Sequence, residues 1–344
     1  MRTKNYIITL LIAFVAIGCK KSYFPKDLQA VDVTITRFDS ALLAFDTADA
    51  TRSTTALYTH YPHFMQVYTE QILGIDYDDS IFLKTALPSF LNDTIYGFKQ
   101  TNLRAKEMFT NIDDIKKPLN LAFARLIYIE PQMALPEIYF FLSGFNVSVF
   151  FFDNNIPLDL TEPMELGVGV DMYLGSDYEY YNRVVYNYQK YTMRKECIPV
   201  DIVSACLFRA TTFTSQKSRL LENMIYRGKI MYVLSLLFEE LPEHEVMGYT
   251  KEQWDWAKRN EAQVWQMMIQ RKDLFKSESP VLTSYLNDGP FTSEISQEAP
   301  ARLGTWIGWQ IAKSYMEHNK DITLHELLME GDAQKILENS YYKP

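Results

Sequence analysis

Two short aromatic runs, Glu137-Ile138-Tyr139-Phe140-Phe141-Leu142 and Val147-Ser148-Val149-Phe150-Phe151-Phe152, interrupt a sequence whose apolar residues otherwise recur at helical spacing. Rich in aromatic and β-branched residues and split by Ser143-Gly144, they predict paired strands, with 166–173 as a third. Helical spacing covers 35–45, 58–73, 80–91 and 96–127 before them, and nearly everything beyond Asp177. A few strands enclosed by helices predict a predominantly helical α+β fold, with a small central sheet and helices before and after it.

Local signals place several of the later helices. Pro199 suits the first turn of a helix over 200–212. Thr250 with Gln253, and Thr323 with Glu326, have the spacing of capping boxes, in which side chain and backbone satisfy each other's donors. Periodicity also predicts helices over 215–238 and 302–317. A helix beginning at Pro199 would set Cys206 roughly 10 Å along the axis from Cys197, too far for a disulfide, so both are expected to be buried free thiols.

At the N-terminus a basic head, Met1-Arg2-Thr3-Lys4, precedes roughly a dozen mostly apolar residues, too few for the about 20 that span a bilayer. Ala16-Ile17-Gly18-Cys19 then resembles the lipobox of bacterial lipoproteins. That resemblance implies a signal peptide over 1–18, a diacylglycerol on the Cys19 sulfur and an acylated (palmitate-type) amino group, an anchor far stronger than a single chain. Residues 19–30 are polar enough to read as a lipidated tether, leaving 31–344 as a single domain. Lys20-Lys21 follow the cysteine where surface-displayed Bacteroidetes lipoproteins carry an acidic run, and no aspartate follows it directly. The expected location is therefore the periplasmic face of the outer membrane. The formal charge of -9 becomes -11 once Arg2 and Lys4 leave with the signal, which disfavours nucleic acid as a partner.

Chemistry-bearing motifs are sparse. His244-Glu245-Val246-Met247-Gly248 begins like the His-Glu-x-x-His of helical zinc peptidases but ends in glycine, and its setting between Pro242 and Thr250 reads as a polar loop. His60 with His63, and His318 with His325, read as chance neighbours, and Asp78-Asp79 and Asp113-Asp114 as turn or cap residues. No cofactor is expected. The tyrosines at 178, 180, 181, 186, 188 and 191 are read first as packing, with sugar stacking as the alternative. Asp-hydroxyl-apolar triplets make Ser40, Thr47, Ser80 and Thr94 candidate O-glycosylation sites, because they resemble the Bacteroidetes signal. The competing reading is that these residues serve as helix starts and turns.

Longer strings carry a family resemblance. FLSGFN (141–146), GVGVDMYLG (167–175), NMIYRGKIMYVLSLL (223–237), GYTKEQWDWAKRNEAQVWQMM (248–268), GPFTSEISQEAPARLGTWIGWQIAKSYM (289–316) and the ending ILENSYYKP, with Arg37-Phe38-Asp39 near the start, resemble the GldB family of gliding motility lipoproteins over almost the whole mature chain. This implies an envelope lipoprotein with partners in the gliding machinery and no established catalysis. A weaker resemblance to zincin-type zinc peptidases aligns their histidine helix with Val200-Asp201-Ile202-Val203-Ser204-Ala205-Cys206 and their Glu-Gly site with Arg227-Gly228. It implies a degenerate zincin-like architecture in which Asp201 and Arg227 mark a groove without metal ligands. Gly304 and Gly308, four apart, permit close backbone approach on one helix face. The functional reading is a non-catalytic envelope component acting through protein contacts. A glycan-binding lipoprotein and a zinc metallopeptidase with unorthodox ligands are the alternatives.

Overall fold

The computed structural model describes residues 22–153, 160–213 and 215–344. Strand β1 (Thr34–Arg37) leads into α1 (Phe38–Leu43), α2 (Ala50–His60), α3 (Pro62–Val67), α4 (Ser80–Asn92), α5 (Phe98–Met108) and α6 (Asp113–Ile129). Strands β2 (Glu137–Phe141), β3 (Val149–Phe151) and β4 (Glu165–Gly169) follow. The second helical half comprises α7 (Tyr181–Val184), α8 (Ile198–Ala210), α9 (Leu220–Leu237), α10 (Glu243–Met247) and α11 (Lys251–Gln270), then α12 (Ser279–Leu286), α13 (Leu303–His318), α14 (Leu324–Met329) and α15 (Ala333–Ser340). The fold is α+β and predominantly helical, with one small mixed sheet among the described residues, as the sequence predicts. No helix among the described residues is long and apolar enough to cross a membrane.

The sheet order is β1-β2-β4-β3, so the two aromatic runs are strands but not partners. β4 lies between them, parallel to β2 and antiparallel to β3. Its glycines explain the insertion. A Cβ on Gly167 would lie 2.3 Å from the Phe150 ring and 3.0 Å from that of Phe141, so the bare backbone is what lets both neighbours lay aromatic rings across β4. β1 is a second departure, since 35–45 reads as helix. Thr34-Ile35-Thr36 pairs in parallel with β2, and the helix begins only at Phe38. A short apolar run satisfies either period, and the whole of α1 to α6 serves as the crossover that a parallel pair requires.

Other boundaries shift for local reasons. Pro62, lacking an N–H, ends α2 and opens α3, and Tyr68–Leu73 widens into a π-helical turn. The 96–127 stretch splits at Asn111, whose side chain accepts from the Asp113 N–H (2.7 Å) and starts α6. Beyond Asp177, residues 178–197 form turns and short 3-10 segments rather than long helix. His244 sits in the one-turn helix α10, not in a loop. Both capping boxes form, with Thr250 N–H donating to Gln253 (2.9 Å) and Thr323 N–H to Glu326 (2.8 Å). Cys197 and Cys206 are buried free thiols, pushed up to about 12 by burial.

From Ser22 onward the segment read as a lipidated tether packs on the helical body. Phe24 is buried against Tyr128 with the Arg125 guanidinium 5.5 Å from its ring centre, and the Ser22 hydroxyl donates to Glu239 (2.8 Å). Arg125, itself buried, donates to the last carbonyl of α9, Leu237 (2.7 Å), and pairs with Glu239 and Glu240. One aromatic residue in a polar stretch was enough to dock the segment, and composition alone does not show it. Cys19 and the two lysines lie outside the described residues.

Two features hold the frame of the cavity described below. α9 and α13 meet backbone to backbone at Gly228 and Gly308, beside the fully buried Trp306 and Trp309. At the end of β2 the turn through Gly144 (φ +69°) and Phe145 (φ +62°) is tied to the buried Asp171. Its carboxylate accepts from Ser143 N–H (2.7 Å), Phe145 N–H (2.7 Å) and the Ser143 hydroxyl (3.0 Å). Burial raises this carboxyl above the ordinary range against the pull of those three bonds.

Candidate functional site

A cavity of about 400 Å³ opens where the start of β3, the segment after β4, the 178–197 turns, α8 and the loops before α11 and α13 converge. Its floor is Asp201, which the first turn of α8 delivers two residues after Pro199. Asp201 Oδ2 accepts from the buried Tyr173 hydroxyl (2.8 Å). The carboxyl lies deep but is reached by solvent through the cavity. Burial pushes it up to about 6, with the Tyr173 bond and Arg302 pulling it down and Asp288 pushing it further up. Arg302 stands at the rim with a left-handed backbone (φ +61°), its Nε paired with Asp288 (2.9 Å) and its Nη2 donating to Met247 O (2.6 Å). A non-glycine residue held there costs free energy, and such residues concentrate at sites where a side chain must be aimed.

Asp201 and Arg227, the two groove residues expected from sequence, fall in one neighbourhood but not on one surface. Asp201 lines the cavity. Arg227 sits behind the rim on α9, donates to Leu286 O (2.7 Å), and senses the same Arg302 and Asp288. Burial and the Arg302 charge lower its pKa, so two guanidinium groups crowd the place where the peptidase comparison would put a cation. Among the described residues no three His, Cys, Asp or Glu side chains converge to hold a metal ion. The five histidines are dispersed: His63 meets Glu165 (3.1 Å), His325 meets Glu130 (2.7 Å), His244 faces Glu245, and His60 and His318 bond carbonyls of their own helices. Two carboxylates, one held by Tyr173 and one paired with Arg302, are a donor set that does not fit zinc, and no step through a metal is derived.

The tyrosine cluster divides. Tyr181 is buried, Tyr178 meets Thr101 (2.8 Å) and Tyr191 donates to Glu245 (3.0 Å), all as packing. Tyr186 stays exposed and stacks on Tyr188, which lines the cavity (interplanar angle 7°). Of the glycosylation candidates, Ser40, Thr47 and Thr94 are exposed, and Ser80 opens α4. Their aspartates have structural work: Asp39 is buried against Arg37, Asp46 caps Ala48 N–H (2.9 Å), and Asp93 accepts from Tyr96 N–H (2.8 Å). Tyr173, Asp288 and Arg302 were not singled out by sequence reasoning. Asp171 and Tyr173 stand inside the quoted string GVGVDMYLG, where a carboxylate in an apolar strand end was the available signal.

The floor residue yields a pH prediction. A carboxyl raised to about 6 from an unfolded value of 3.8 contributes most stability below pH 3.8 and loses it as pH rises through 6. Asp201→Asn keeps an acceptor for Tyr173 and removes the buried charge. It is expected to stabilise the protein by about 1–3 kcal/mol at pH 7.5 and to add nothing near pH 4. Urea unfolding at both pH values checks this, and equal destabilisation at both would contradict it.

No curated protein and no solved structure matches the chain. The family model for the gliding motility protein GldB matches residues 21–344, a span that takes in every described element from β1 to α15 and the cavity they enclose, and the chain therefore belongs to the GldB family of gliding motility proteins.

Proposed function

We propose that this protein is a non-catalytic envelope lipoprotein of the gliding machinery, a single body over 31–344 held by lipid on Cys19 and working through contacts with envelope proteins. The observation that carries the reading is the cavity itself: its one unpaired charge is a carboxylate already held by Tyr173, beside the Arg302–Asp288 pair. Such a floor serves recognition, since it offers neither a metal set nor a nucleophile with its base. The anchor geometry supports a membrane-proximal body. With Ser22 and Phe24 docked on α6 and α9, the free reach is that of Cys19 to Lys21, at most about 10 Å. Lys20 and Lys21 would add attraction to anionic headgroups of about 1 kcal/mol each. The periplasmic face of the outer membrane is the proposed location.

A photo-crosslinking residue at position 188, on the cavity wall, is expected to capture one envelope protein in living gliding cells. The adduct should disappear when Ala205→Trp fills the cavity. Normal motility with no adduct at that position would contradict the reading. Glycan binding is the second reading, favoured by the exposed Tyr186 stacked on Tyr188, a ready platform for a sugar face. Retention of Tyr186→Ala and wild-type protein on the same glycan array distinguishes it, since only the second reading predicts a loss.

A further inference from the structure

Three charged side chains line the cavity: Asp201, Asp288 and Arg302. Asp288 and Arg302 neutralise each other at the rim at 2.9 Å, and Arg302 Nη2 donates to Met247 O. That leaves Asp201 alone at the floor. Its Oδ2 takes the Tyr173 hydroxyl, whereas Oδ1 has no hydrogen-bond partner among the described residues. Around it the walls are neutral and partly aromatic, with Tyr188 and Phe208 presenting ring surface and Ser204, Gln189 and Gln253 presenting neutral polar groups. A volume of about 400 Å³ lies within the range of sites that enclose a small organic group.

Resting on the protein-contact reading above, we infer that the cavity receives a lysine or arginine side chain of a partner protein, whose cationic head pairs with Asp201 Oδ1 while its alkyl stem lies along the aromatic wall. A carboxylate at the floor of a narrow cavity keeps one oxygen open to solvent, where a cation can replace its water, and the aromatic faces favour the same sign of charge. The acidic chain, at -9, adds long-range attraction for a basic partner. An anionic ligand would meet Asp201 at the floor with only an already paired arginine to receive it. A neutral ligand would leave the carboxylate uncompensated.

The charged and titratable groups facing Asp201 are Tyr173 after β4, Cys197 before α8, Asp288 after α12 and Arg302 at the start of α13. Of these, the tyrosine and the thiol are raised by burial and stay neutral, whereas Asp201, pushed up to about 6, changes charge between pH 5 and 7.5. Binding of a cation should therefore weaken about tenfold from pH 7.5 to pH 5, as Asp201 takes up its proton.

The test uses the full lipidated chain in detergent micelles and three probes: N-acetyl-arginine amide, its uncharged isostere N-acetyl-citrulline amide, and N-acetyl-glutamate amide. Calorimetry at pH 7.5 should show the arginine probe binding at least tenfold more tightly than the citrulline probe, with no binding of the glutamate probe. Asp201→Asn should remove that preference. Equal affinity for the arginine and citrulline probes, preference for glutamate, or no binding at all would overturn the inference. Because the isostere comparison is made on the unaltered protein, a variant that fails to fold leaves it intact. The non-catalytic reading fails separately, on crosslinking and zinc content, so the two failures are distinguishable.

Discussion

Gly308→Ala is expected to destabilise the protein by more than about 3 kcal/mol, and to leave little soluble material. A Cβ at 308 would stand 1.9 Å from the carbonyl oxygen of Met224 and 2.6 Å from its carbon, and both are backbone atoms that cannot rotate aside. The opposing Gly228 is equally constrained, with Gly308 backbone 2.1 Å from where its Cβ would lie. The helices would have to separate, and separation unpacks Trp306 and Trp309, each about 1% exposed, along with their contact to Trp254. Overpacking a fitted core costs about 1–3 kcal/mol where side chains can give, and more where only backbone can move. Gly289→Ala is the control: its nearest neighbour would be 3.7 Å away, so a change within about 0.5 kcal/mol is expected. Urea midpoints and soluble yield of the two variants decide the matter. Comparable behaviour would mean that the α9–α13 contact does not hold the fold.

Asp171→Ala is the second large effect, expected to cost about 3–5 kcal/mol. The substitution strands the Ser143 and Phe145 N–H groups, which sit in a turn with two consecutive left-handed residues and have the carboxylate as their partner. The Tyr181 hydroxyl, which donates to the Asp171 backbone carbonyl (2.8 Å) and accepts from Leu174 N–H (2.8 Å), keeps both bonds in this variant, so the loss falls on the turn. Thermal unfolding should fall by more than about 6 °C, at about 2–4 °C per kcal/mol for a domain of this size. Hydrogen exchange at the Ser143 and Phe145 amides should accelerate beyond the change in global stability. A variant with unchanged melting would show that the turn is held by the sheet instead.

What the sequence made legible was local. Thr250 with Gln253, Thr323 with Glu326, and Pro199 each announce a helix start through groups a few residues apart, and all three starts form where expected. The aromatic runs announce strands for the same reason. What it hid was long-range: whether Phe150 lies beside Phe141 or across Gly167 from it depends on a third strand, and only β4's missing side chains make the second arrangement fit. The β1 segment was ambiguous because four residues cannot distinguish a period of 2 from one of 3.6. Asp201 and Arg227 were marked by resemblance to another scaffold, yet their meaning depends on Arg302 and Asp288, which arrive from elsewhere in the chain. Gly228 shows the same limit. Read beside Arg227 it belonged to a lost metal site, whereas its role here is to let α13 touch α9.

The zinc content of the purified full-length protein, measured by elemental analysis after incubation with excess zinc and removal of the unbound ion, separates a recognition cavity from a metal centre most directly. A cavity whose two carboxylates are held by Tyr173 and by Arg302 predicts fewer than about 0.1 zinc per chain, unchanged by Asp201→Asn. One tightly bound zinc per chain, lost in that variant, would contradict it and restore the metallopeptidase reading.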